Sequence, residues 1–168
     1  MVAFYIIVII ILLAIIWQDF KERAVYWFFF PVLIILVIIK DSYVGNLPFE
    51  EYFVNLSFIG LQVSVLHNYY YIKKRRLVKM ESYLGLGDVL FFIFLGFLFS
   101  PITFLVFQLS SLLLILLYLL FLKNNRNIPL AGCQSIILII IILINPFTQE
   151  TLFNSDEILI HYLTRIYE

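Results

Sequence analysis

Lys73-Lys74-Arg75-Arg76-Leu77-Val78-Lys79, separated by four residues from Leu84-Gly85-Leu86-Gly87-Asp88-Val89-Leu90, is the stretch on which the fold turns. Five cations in seven residues separate two apolar runs, Tyr52–Ile72 before and Tyr83–Phe99 after. A cationic segment between apolar runs marks a cytoplasmic loop joining membrane helices. Working outward, four further runs follow the same pattern: Val2–Trp17, Val25–Ile39, Ile102–Leu122 and Ile128–Phe147. The third, fifth and sixth runs reach the roughly 20 residues a span needs. The other three require flanking residues or local thinning of the bilayer. Turn and charge signals fall at the joints: Lys21-Glu22-Arg23, Pro31, Gly45-Asn46-Leu47-Pro48 and Ser100-Pro101.

Composition points the same way. The 168 residues are 64% hydrophobic and 13% charged, with mean hydropathy +1.05, more apolar side chain than a soluble domain of this size can bury. The bilayer is therefore an expected partner. The formal net charge is zero, yet the charges are sorted along the chain. Lys21, Arg23, Lys73, Lys74, Arg75, Arg76, Lys79, Lys123 and Arg126 lie in the odd-numbered loops. Asp41, Glu50, Glu51, Glu150, Asp156, Glu157 and Glu168 lie on the even side or in the tail. Basic loops stay inside. The expected fold is thus an all-α membrane protein with six transmembrane helices and both termini on the non-cytoplasmic side. Two segments are expected: 1–147 as the membrane domain, and 148–168 as an amphipathic tail lying on the interface. The first run lacks a basic n-region and a small-residue cleavage site, so it reads as a retained helix.

Several classes of chemistry fall away. One cysteine, Cys133, and two separated histidines, His67 and His161, provide neither an internal disulfide nor a metal centre. No phosphate-cradling loop is present, and neither a cofactor nor a nucleic-acid partner is expected. Gln62, Ser64, Gln108, Ser110 and Ser111 read as hydrogen bonders between helices.

Two carboxylates are out of place. Asp19 closes the first run, and Asp88 stands inside the fourth with apolar neighbours on both sides. An ionised carboxylate in the apolar layer costs roughly 2.5–3.5 kcal/mol on insertion scales, so it persists when it has a partner or a task. Run one ends, and run four begins, at the cytoplasmic face. Two carboxylates that meet there can hold one proton between them, giving an acid and a base in one site. Such a pair activates a water for attack on a peptide carbonyl and protonates the departing amine. Gly85 and Gly87, lacking side chains, would let another backbone approach Asp88 closely. Alone, Asp19 reads as a helix-end anchor and Gly-x-Gly-Asp as a chance tetrad. Their conjunction on one face is what points to catalysis.

Leu84-Gly85-Leu86-Gly87-Asp88-Val89 resembles the Gly-x-Gly-Asp motif of the type IV prepilin peptidases, and archaeal preflagellin peptidases share it. Asp19-Phe20-Lys21-Glu22-Arg23-Ala24-Val25-Tyr26 resembles that family's first motif, and Asn127-Ile128-Pro129-Leu130-Ala131-Gly132 the motif opening its last helix. The likeness runs from about residue 5 to 147. It implies a membrane aspartic endopeptidase that removes leaders from pilin-like precursors at the cytoplasmic face of the plasma membrane. Asp19 and Asp88 would be the catalytic acids, with Gly85, Gly87, Pro129 and Gly132 as motif residues. Two positions depart from the pattern: Leu90 where the family usually has Lys, and Tyr26 where it has Pro. The paired Cys-x-x-Cys insert of bifunctional members is missing, which implies peptidase without methyltransferase activity. A small proton- or cation-coupled transporter, or an inactive scaffold of a secretion assembly, are the alternatives the residues leave open. The precursor and the oligomeric state stay open too.

Overall fold

The computed structural model describes residues 2–45, 47–74, 85–122 and 129–144, and no strand occurs among them. Each apolar run holds one helix: α1 Val2–Glu22, α2 Phe29–Val44, α3 Phe49–Lys74, α4 Leu86–Leu98, α5 Pro101–Leu122 and α6 Leu130–Ile144. Two of them, over Ala3–Glu22 and Pro101–Tyr118, are long and apolar enough to cross a bilayer. By contrast α4 and α6, with 13 and 15 residues, rise only about 20–23 Å, short of a hydrocarbon layer of about 30 Å. Residues 75–79, Lys123, Arg126 and the expected tail 148–168 lie outside the described residues.

Prolines set several of the starts. Pro48 and Pro129 immediately precede α3 and α6, Pro101 opens α5, and Pro31 sits in the first turn of α2. At these positions the missing N–H costs nothing, because the first amides of a helix have no intrahelical acceptor. Gly45 closes α2 in the left-handed region (φ 78°), its amide donating to the Asp41 and Ser42 carbonyls. Helix ends differ from the sequence reading in two ways that matter below. α1 continues past Trp17 to Glu22, so Asp19 lies within helix, and Asp88 falls in the first turn of α4 instead of several residues into it.

The largest packing surface joins α1 to α6. Helix α4 is central, touching α2 and α3 most and also α5 and α6. Phe30, Phe91, Phe94, Phe104, Leu12 and Leu138 are fully enclosed. Phe30 and Phe91 meet edge to face at 6.4 Å. Close packing and interhelical hydrogen bonds hold the helices together. Asn55 Nδ2 donates to the carbonyls of Gly96 and Phe99, both at 2.8 Å, clamping α3 to the end of α4. Gly96 makes that approach possible, since a Cβ there would stand 3.1 Å from Ile59 and 3.3 Å from Asn55. Gln134 Nε2 donates to Ser111 Oγ at 3.0 Å, tying α6 to α5. Ser110, expected to bond across helices, instead donates to the Phe107 carbonyl of its own helix.

A further expectation is overturned. Asp41, expected in a solvated loop, is 8% exposed in the last turn of α2. Lys40 Nζ lies 2.9 Å from its Oδ1, and the Tyr52 hydroxyl donates to its Oδ2 at 2.6 Å. Lys40 also stands 5.8 Å from the ring centre of Phe4, which places this cluster at the end of the bundle where α1 begins.

Candidate active site

At the opposite end, α1 finishes, α2 starts, and α4 and α6 both begin. Asp19 is 6% exposed there, and its neighbour Gln18 is 4% exposed. Gln18 Oε1 accepts the Tyr26 amide at 3.0 Å, folding the connection between α1 and α2 back onto α1. Arg23 ends α1 with φ 58°, a left-handed conformation more usual for glycine. In that connection Val25 packs against Gly87, where a Cβ would sit 3.5 Å from the Val25 Cβ. The two acidic segments are therefore in direct contact.

Pro129 governs the third component. Its carbonyl accepts the Cys133 amide at 3.0 Å, so Pro129 is the N-cap of α6 and Leu130, Ala131 and Gly132 form the first turn. A Ser, Thr, Asp or Asn at the N-cap normally accepts the second or third amide, and proline cannot. Two carboxylates from elsewhere take that place. Asp88 Oδ1 accepts the Ala131 amide at 3.1 Å, and Asp19 Oδ2 accepts the Gly132 amide at 2.6 Å. Gly85 is the N-cap of α4 and Asp88 its third residue, with the Asp88 amide donating to the Gly85 carbonyl at 3.1 Å.

Adjacent amides of α6 thus hold two acids that are far apart in sequence. The positive end of a helix macrodipole, roughly half an elementary charge, faces them. Gly132 packs tightly: a Cβ there would lie 3.0 Å from two carbons of the Phe20 ring and 3.1 Å from Asp19 Oδ2, so either neighbour would have to give by a few tenths of an ångström. At Gly85 a Cβ would press on Asp88 Oδ2 at 3.1 Å. The sequence-expected residues Asp19, Asp88, Gly85, Gly87, Pro129 and Gly132 all gather at this end. Helices α1 and α4 need not pack side by side for this, because α2 and α6 each contact both. Gln18, Val25 and Ala131 escaped sequence reading. Ala131 contributes only its amide, which no residue type advertises, and Gln18 was hidden beside the more conspicuous Asp19.

Chemically, the arrangement offers two carboxylates with one oxygen of each fixed by the main chain. Cations and aromatics gather at the same end: Lys21 Nζ stands 4.5 Å from the Trp17 ring centre, and Lys73 Nζ 5.4 Å from that of Tyr69. Such pairs suit the headgroup region.

Residues 6–120 match the type IV leader peptidase family. The chain belongs to that family. The match takes in Asp19 and the Gly-x-Gly-Asp segment and ends before α6, so the role of the α6 amides rests on geometry alone. Neither the curated proteins nor the solved structures yield a match.

Proposed function

We propose that this chain is a membrane aspartic endopeptidase that removes leader peptides from type IV prepilin- or pseudopilin-like precursors at the cytoplasmic membrane face, with Asp19 and Asp88 as the catalytic acids. One observation carries the reading: acids from two different helices meet on consecutive amides of a third. Residue types that are costly in an apolar layer mark function when they converge.

In this reading one carboxylate takes a proton from water as the oxygen attacks the scissile carbonyl. The other, protonated, gives its proton to the departing amine. The water's hydrogen and hydroxyl are then divided between the acid pair and the new C-terminus. Six membrane spans, with the odd loops inside, fit the Lys21, Arg23 and Lys73 cations found at the end that carries the acids.

The test is cleavage of a leader-bearing precursor by the full chain in proteoliposomes. Asp19→Asn and Asp88→Asn should each lower the rate by about 10³-fold or more while the protein stays membrane-inserted. Wild-type rates in either variant would end the acid-pair reading.

A further inference from the structure

An amide that holds a catalytic group is part of the machinery even though its side chain does no chemistry. In this molecule neither acid is fixed by the other. Asp19 Oδ2 is bound to the Gly132 amide at 2.6 Å and Asp88 Oδ1 to that of Ala131 at 3.1 Å. These are the second and third amides of α6, both without intrahelical acceptors, and Pro129 at the N-cap has no side chain able to satisfy them. The dependence is mutual. Helix α6 lacks a cap of its own and borrows two carboxylates, while the carboxylates take their separation from the fixed rise of a helix. The Phe20 ring closes the remaining side: a Cβ at position 132 would meet it at 3.0 Å and Asp19 Oδ2 at 3.1 Å, closer than such contacts ordinarily run.

We infer that the first turn of α6 is a positioning device for the acid pair, with Ala131 and Gly132 as its positioning residues, Ala131 through its amide and Gly132 through both its amide and its missing side chain. The inference rests on the peptidase reading and adds to it what sets the distance between the two acids. Precise placement is where such a device acts. A misplacement of about 1 Å can cost about 100-fold in rate, and a donor to a carboxylate also sets its protonation.

Proline at position 131 is the direct probe. It deletes the amide that Asp88 accepts, yet the first turn of a helix tolerates it because no intrahelical bond is lost there. Gly132→Ala is the second probe: it keeps both amides and adds a methyl group against Asp19 and Phe20. Both are assayed in the full chain in proteoliposomes on a leader-bearing precursor, with helix content and membrane insertion measured alongside. The expected result for each is a kcat lower by about 10- to 100-fold, KM within about twofold of wild type, and a displaced pH profile of kcat. A loss of packing alone would lower the amount of inserted enzyme and leave that profile in place. Wild-type kcat and pH profile in inserted, helical Ala131→Pro would overturn the inference. Should that variant fail to insert, the same result in Gly132→Ala would overturn it. Either outcome is separable from failure of the acid-pair reading, which shows instead as cleavage by Asp19→Asn or Asp88→Asn.

Discussion

The two ends of the bundle each carry a buried carboxylate, Asp41 at one and Asp19 beside the half-buried Asp88 at the other, and the two ends satisfy them differently. At one end Asp41 has side-chain partners, the Lys40 ammonium at 2.9 Å and the Tyr52 hydroxyl at 2.6 Å. At the other, Asp19 and Asp88 are held by main-chain amides at the start of α6. A side-chain cation neutralises a carboxylate and ties it into a fixed pair, which suits a fastening between α2 and α3. Backbone amides orient a carboxylate and stabilise its charge without balancing that charge in full. A group so held stays available for proton transfer. Two acids burdened in this way at one site make sense in a member of a leader peptidase family, whereas the lone, fully paired Asp41 reads as structure.

The contrast can be broken by moving the consequences of mutation to the wrong end. Asp41→Ala leaves the Lys40 ammonium without its carboxylate in a largely enclosed place, and breaking a buried pair typically costs about 3–5 kcal/mol. Thermal unfolding in detergent should show that loss, while the kcat of the surviving folded enzyme should match wild type. A drop in kcat as large as that of Asp19→Asn would erase the distinction between the ends. Tyr52→Phe is gentler. It keeps the ring, packed 4.8 Å from that of Phe97 between centres, and removes one hydrogen bond to a charged acceptor, for a loss of about 1.5–3 kcal/mol in stability. Unchanged stability in that variant would show that Lys40 alone secures Asp41.

The helices were legible because apolar runs and their punctuation are local: Pro48, Pro101 and Pro129 each announce a helix start from sequence alone. Asp19 and Asp88 were legible for a related reason, since a carboxylate among apolar neighbours stands out without knowledge of its partners. What escaped was the partnership itself. Asp41 looked like a loop acid because its burial depends on Tyr52, a residue on another helix. Helix ends shifted where tertiary bonds overrode local signals, as where the Gln18–Tyr26 bond closes the α1–α2 connection and α1 runs on to Glu22. The α6 amides were invisible in principle, because every residue but proline carries an N–H, and only the fold decides which of them meets a carboxylate.

If Asp19 and Asp88 work as one unit, removing the second after the first has gone should change almost nothing. A double-mutant cycle read by single-turnover cleavage in proteoliposomes measures this directly. The doubly substituted Asp19→Asn, Asp88→Asn enzyme should be no slower than either single variant, within about threefold. Losses that multiply, each substitution acting independently of the other, would contradict a shared site at the start of α6.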